Sequence, residues 1–173
     1  MAQKKALSLP PLRNTLLEPA QSGQVELELD ELWSFVRHKS RQRWIWLALC
    51  KATRQVVACV VGGRGEATCE RLWWSIPQNY RRGVVYTDFW RAYGAVIPDE
   101  QHQAAAKDTG LTNHVERFNN VSEAPRLCRS LRQRLARLVR KTLSFSKSDT
   151  MHLICLHAFI VRYNLERAAI SRG

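Results

Sequence analysis

The chain changes character at Val25. Val25, Leu27 and Leu29 alternate with Glu26, Glu28 and Asp30. A period of two is that of a strand with one apolar face and one face that carries acids, and Asp30 points away from the apolar side. Trp44–Cys50 and Val56–Val61 are further apolar runs, joined by a polar stretch, Lys51–Gln55, that reads as a hairpin loop. Gly62-Gly63-Arg64-Gly65 interrupts the pattern. It lacks the Gly-Lys-Ser/Thr of a phosphate loop and reads as a turn. Glu66–Ile76 predicts a helix stopped near Pro77. Val84–Thr87 predicts a short strand that ends in Asp88. Phe89–Ile97 predicts a short helix and His102–Ala106 a fifth strand. The remainder predicts helices over about 112–120, 126–143 and 149–168. Strands followed by alternating helix and strand, then helices, describe an α/β protein with a mixed sheet of about five strands flanked by helices.

Residues 1–24 contain Pro10, Pro11 and Pro19 and show no sustained period, which predicts a linker or disordered arm ahead of one folded unit, 25–173. A length of 173 residues fits one domain, and 45% hydrophobic residues with six tryptophans excludes a disordered chain. The formal charge is +12, from 27 Lys+Arg against 15 Asp+Glu. Such a surplus selects a polyanionic partner, nucleic acid first and an anionic membrane surface second. The five cysteines contain no Cys-x-x-Cys pair and read as reduced, mostly buried thiols, so a reducing cytoplasm is expected. No uninterrupted apolar segment follows the N-terminal lysines and no run approaches a membrane span, so neither a signal peptide nor membrane insertion is expected.

Three carboxylates occupy positions that suit chemistry. Asp30 ends the alternating run, Asp88 ends a buried-looking strand, and Glu116 sits in Asn113-His114-Val-Glu116-Arg117-Phe-Asn119. Each also has a plain structural reading. Asp30 as a strand-end carboxylate facing solvent, Asp88 as a helix N-cap, and Glu116 as a solvated helix position are all compatible with the sequence. The chemical reading rests on the inertness of phosphodiesters, in which nucleophile and phosphate are both electron-rich. Two divalent ions about 3.5–4 Å apart can activate the attacking oxygen and stabilise the leaving one. Mg²⁺ prefers hard oxygen ligands, and clustered carboxylates supply them.

From Ala124 to Ser148 there is no acid, while Arg126, Arg129, Arg132, Arg134, Arg137, Arg140, Lys141 and Lys147 supply positive charge. Leu127, Leu131, Leu135 and Leu138 fall on one helical stripe with most arginines opposite. That predicts a long basic helix with an apolar inner face and a cationic outer face. Without acids for intrahelical pairs, the outer face suits phosphates, which it would hold without reading sequence. Most tryptophans read as core. Trp90, beside Asp88, is the one placed to approach a substrate.

Asp30-Glu-Leu-Trp33, Lys39-Ser-Arg-Gln-Arg-Trp44, Tyr86-Thr-Asp88, His114-Val-Glu116-Arg-Phe-Asn119 and the long run Leu131–Lys147 together resemble the catalytic part of the insertion sequence one family of transposases, over roughly residues 25–165. The resemblance implies a ribonuclease-H-like fold with an Asp-Asp-Glu site that holds two Mg²⁺ ions, with Mn²⁺ as an alternative. Carried over by position, Asp30, Asp88 and Glu116 are the metal-binding and catalytic carboxylates. His114 and Asn119 are their supporting neighbours, and Arg117, Arg132, Arg134, Arg137, Arg140, Lys141 and Lys147 are DNA contacts. The implied reaction is hydrolysis at an element end followed by attack of the freed 3′-hydroxyl on target DNA. The implied setting is bacterial, cytoplasmic and nucleoid-associated, with homo-oligomers on DNA.

Two departures from the family pattern stand out. Members usually carry an N-terminal zinc and helix-turn-helix region, which here would come as a partner from an adjacent reading frame. Val121–Ser130 also adds about ten residues between Asn120 and the arginine-rich run, and Pro125 lies within it. That segment reads either as a tolerated surface loop or as damage. The second option leaves an alternative function, a non-catalytic DNA-binding remnant or partner subunit.

Overall fold

The computed structural model describes residues 9–19, 25–88, 90–104, 124–139, 141 and 143–171, apart from the side chains of 124–127 and 130. Five strands form one sheet: β1 (Glu26–Val36), β2 (His38–Cys50), β3 (Val56–Gly62), β4 (Val84–Thr87) and β5 (His102–Ala104). Their spatial order is β3-β2-β1-β4-β5. The β1–β2 and β2–β3 pairs are antiparallel, and β4 and β5 run parallel to β1 and to each other. Helices α1 (Glu66–Ser75) and α2 (Arg91–Val96) cover one face, while α3 (Ala124–Arg134) and α4 (Asp149–Ile170) cover the other. This mixed sheet, sandwiched by helices and closed by a long C-terminal helix, is the expected ribonuclease-H-like α/β arrangement.

The period of two in β1 sorts its side chains between two cores. Leu27 and Leu29 pack with Trp46, Leu72, Trp73 and Tyr93. Leu32 joins Ile45, Leu47, Leu131, Leu156 and Ile160 on the other side. Each fully buried leucine contributes about 2 kcal/mol by leaving water. The face expected to carry acids is therefore covered as well: Glu28 is only 2% exposed. Gly83 lets β4 start hard against β1, since a Cβ there would lie 2.0 Å from the Val25 carbonyl oxygen.

β1 and β2 run further than their apolar residues suggest. The polar stretch His38–Arg43 pairs with Ser34–Val36 as an extended hairpin that turns at Arg37, whose φ of 67° is left-handed. Arg41 pairs with Asp149 at the start of α4, and Arg43 Nε reaches the same carboxylate at 2.7 Å. The hydrogen bonds from these arginines hold the Asp149 carboxyl below the usual carboxylate range. Within the segment read as an arm, residues 9–19 pack onto the domain. A knot of buried amides fastens them: Gln55 Nε2 donates to the Thr15 carbonyl at 2.8 Å, and Asn164 Nδ2 donates to Thr15 Oγ1 at 3.0 Å. Asn164 Oδ1 also accepts from Val56 N–H at 2.8 Å, which ties α4 to β3.

The arginine-rich region is not one helix over 126–143. α3 ends at Arg134, Leu135 is extended, and a single 3-10 turn follows at Ala136–Leu138. The break lets Leu138 enter the core and Arg137 Nη1 donate to Ser146 Oγ at 3.1 Å, so tertiary packing overrides helix propensity. The long C-terminal helix is instead α4, whose Asp149 and Glu166 balance Arg162 and Arg167. The predicted helix over 112–120 lies outside the described residues. All five cysteines are free thiols, three of them buried. Of the tryptophans expected in the core, Trp74 is 65% exposed and stacks under Arg81. Among the described residues, no helix is long and apolar enough to cross a membrane.

Candidate active site

β4 pairs with β1 up to Glu28 opposite Tyr86. Two residues further along β1 lies Asp30, and just past the end of β4 lies Asp88, near enough for its charge to act on Asp30. Asp30 is half-buried on the α3 side of the sheet. Its Oδ2 accepts from Cys128 Sγ–H at 3.1 Å, and its Oδ1 accepts from Glu31 N–H at 2.9 Å. Burial pushes the Asp30 carboxyl above its ordinary range, the Cys128 bond pulls it back, and the negative charges of Glu31 and Asp88 push it up again. Burial also raises the Cys128 thiol well above its usual value, which keeps the proton that it donates.

Asp88 is not the helix cap that its position allowed. The N-cap of α2 is Trp90 and has no side-chain cap. Asp88 Oδ1 instead accepts from Trp90 N–H at 3.0 Å, a local turn that fixes the carboxylate at the end of β4. Behind it, Thr87 Oγ1 donates to the Asp88 carbonyl at 2.8 Å and meets His102 Nε2 at 2.7 Å, joining the ends of β4 and β5.

A cleft of about 630 Å³ opens over Asp30, lined among the described residues also by Glu31, Leu32, Cys128, Arg129, Arg132, Gln133 and Val139. Cys128 and Arg132 are one helical turn apart, so both meet the cleft. Arg132 Nε is buried and has no hydrogen-bond partner among the described residues. A buried, unpaired guanidinium donor is costly unless a ligand completes it. Arg129, which belongs to the acid-free basic run but not to the expected DNA contacts, joins Arg132 at this wall.

The other expected DNA contacts are dispersed. Arg134 lies 3.5 Å from Glu166 on α4. Arg137 feeds a buried relay: Ser146 Oγ lies 2.9 Å from His152 Nδ1, and His152 Nε2 lies 3.2 Å from Ser34 Oγ, which donates to the Arg43 carbonyl. The donor pattern makes His152 a neutral ring protonated on Nε2, and burial accordingly pushes its pKa down. Lys141 lies on a separate surface with Trp33, Lys39 and Trp44. Lys147 is exposed, and its carbonyl accepts from Arg37 Nε at 3.0 Å. Glu116, His114, Arg117, Asn119 and Arg140 lie outside the described residues.

The opposite face of β1 carries a second carboxylate. Glu31, whose side chain is 2% exposed, accepts from Arg64 Nη2 at 2.8 Å and from the Tyr93 hydroxyl at 2.8 Å. The Arg64 guanidinium sits 3.9 Å from the Trp90 ring centre and 4.4 Å from that of Trp44. This clamp braces the loop after Asp88, and the sequence reading, which saw only a glycine-rich turn, missed it. The Trp90 indole N–H is buried without a partner among the described residues.

Residues 24–165 match the family described as IS1 transposase. The chain belongs to the IS1 transposase family. It is 41% identical over 125 residues to the insertion element IS1 protein InsB of Shigella flexneri, which covers 72% of this chain and 86% of that protein. It is 35% identical over 136 residues to the iso-IS1n protein InsB of Shigella dysenteriae, covering 79% of this chain and 94% of the relative. An IS1 protein InsB of Escherichia coli K12 is 37% identical over 136 residues, 79% of this chain and 74% of that protein.

For a member of this family the site chemistry can be weighed against a divalent metal. The described residues contain no group of three or more His, Cys, Asp or Glu side chains placed to hold one. The pair that is described fits in kind: two hard oxygen donors, one of which holds its proton more tightly, chiefly through burial and in smaller part through the charges of Glu31 and Asp88. Positive charge between them would relieve that repulsion.

Proposed function

We propose that this chain is the catalytic part of a transposase that cleaves element ends and joins the freed 3′-hydroxyl to target DNA, with Asp30, Asp88 and Glu116 as the carboxylates that hold Mg²⁺ or Mn²⁺. The observation that carries this reading is the placement of Asp30, near enough to Asp88 to feel its charge, in a cleft walled by Arg129 and Arg132. A bound pair of divalent ions would supply an activated attacking oxygen and stabilise the leaving one. The protein's own part is positioning. Strands β1 and β4 fix the two carboxylates, Cys128 and the Glu31 amide orient Asp30, and the Trp90 amide orients Asp88. The arginine wall offers donors to phosphate oxygens, and the unpaired Arg132 Nε suits that role. In the first step water attacks the scissile phosphate and the 3′-oxygen leaves. In the second that 3′-oxygen attacks a target phosphate, and a target 3′-oxygen leaves in turn.

The packing of α3 also favours catalysis over the remnant reading. Residues 124–130 of the added segment are helical, Pro125 falls in the first turn where proline is tolerated, and Cys128 reaches Asp30. The segment therefore builds the cleft wall. We take residues 25–173 as the catalytic unit, with His114 and Asn119 supporting Glu116 and Arg117, Arg134, Arg140, Lys141 and Lys147 as further DNA contacts. Homo-oligomers on DNA, an N-terminal DNA-binding partner from an adjacent frame and a nucleoid-associated location belong to the same reading. The test is Mg²⁺-dependent nicking of a matched element end. Asp30→Asn, Asp88→Asn and Glu116→Gln should each lower the rate by about a thousandfold or more while the protein stays folded. Retained nicking in any one removes that residue from the site.

A further inference from the structure

We propose that the Trp33–Trp44 surface is a binding site for an unpaired nucleotide of the DNA substrate, and this rests on the nucleic-acid reading above. Trp33 and Trp44 are direct partners across β1 and β2. They lie on the Glu31 face, one pair beyond Glu31 and Trp46. Trp46 is 0% exposed beneath the helices, whereas Trp33 and Trp44 are only partly covered. Among the described residues they line, with Lys39 and Lys141, an open cleft of about 470 Å³. No described lining residue carries a carboxylate.

Two features make this a prepared surface. Arg64 lies against the Trp44 ring at 4.4 Å, and Phe35 supports Trp33 with ring centres 5.6 Å apart. Rings held in place lose little freedom on binding. The chemistry is specific in kind: indole faces stack on any base, and two ammonium groups pair with backbone phosphates. A base in a duplex has both faces covered by its neighbours, so only an unpaired or extruded base can use such a platform. Position agrees. Trp33 lies three residues beyond Asp30 on β1, about 10 Å at the rise of a strand. The described pairing of β4 with β1 stops at Glu28, before either Asp30 or Trp33.

The test uses the full chain in EDTA, so that neither metal nor cleavage enters. Binding is measured by fluorescence polarisation to a fifteen-nucleotide thymidine oligomer and to a blunt-ended linear duplex. Trp33→Ala should weaken single-strand binding about tenfold or more and leave duplex binding within about twofold. Trp33→Phe should keep most of the affinity, and Lys39→Ala should weaken binding and make its loss in added salt shallower. Equal losses on both DNAs, or no loss on either, overturn the platform while leaving the nucleic-acid reading in place. Wild-type protein that binds neither DNA overturns both. Tighter Trp33-dependent binding to phosphatidylglycerol vesicles than to the oligomer also overturns the proposal.

Discussion

Asp30 and Glu31 are consecutive carboxylates on one strand, and the period of two sends them to opposite sides of the sheet. Glu31 meets an arginine and a tyrosine hydroxyl, both oriented toward it, with the guanidinium itself held between two indole rings. Asp30 meets a neutral thiol, one backbone amide and the negative charges of Glu31 and Asp88. One acid is satisfied by the protein alone. The other is left short of positive charge beside an open cleft. The difference teaches which carboxylate braces the fold and which is poised for a ligand: a bracing acid has its counter-charge built in, and a ligand-binding acid lacks it.

The comparison breaks most sharply on stability. Glu31→Ala removes the partner of Arg64 and strands the buried Tyr93 hydroxyl. Arg64 is 38% exposed and regains some water, so the expected loss is about 2–4 kcal/mol, less than that of a fully buried pair. Thermal melting should register a fall on the order of 5–10 °C. A variant that melts within about a degree of wild type would show that the clamp does not hold the domain together.

Asp30→Asn should act in the opposite direction. The folded carboxyl binds its proton more tightly than the unfolded one, so its ionisation opposes folding at neutral pH. In EDTA the asparagine variant should melt above wild type at pH 7, by less than Glu31→Ala lowers the midpoint. As pH falls through the raised pKa toward the ordinary aspartate range the wild-type penalty is relieved, and the two melting curves should converge. A difference that widens on acidification would mean that Asp30 is stabilised as a carboxylate, which contradicts its description as an acid lacking counter-charge.

Sequence patterning located this pair of acids only in part. The alternation from Val25 and the run before Asp88 identified the strands that carry Asp30 and Asp88, because a half-buried strand must repeat every two residues. It did not find the far half of β2. His38–Arg43 is polar throughout and is held by Asp149, more than a hundred residues away, which no local pattern encodes. It overextended the basic helix because helix formers continue past Arg134, where packing of Leu138 decides otherwise. Glu31 looked like one more acid on a strand. Its meaning comes from Arg64 and Tyr93, two loops and a helix away. Cys128 borders the leucine stripe and reads as part of its buried face, so nothing marked it as the neighbour of Asp30.

Cys128 offers the finest test, since it is the one described side chain that donates to Asp30. Cys128→Ala removes a donor to the charged form, and the Asp30 pKa should rise further above its wild-type position. Cys128→Ser keeps a hydroxyl donor at nearly the same place and should leave the titration close to wild type. Comparing each variant with its Asp30→Asn double mutant, as a function of pH in EDTA, isolates the pair from the small packing change in α3. The coupling should be about 0.5–1.5 kcal/mol at pH 7 in wild type and in the serine variant, and near zero in the alanine variant. In the alanine variant the destabilising effect of Asp30 should begin at the same pH but grow larger and level off at higher pH, because loss of a donor to the carboxylate raises only the folded pKa. Identical titrations for alanine and serine would mean that burial and the charges of Glu31 and Asp88 alone set the proton affinity of Asp30, leaving α3 to supply the arginine wall and nothing to the carboxylate itself.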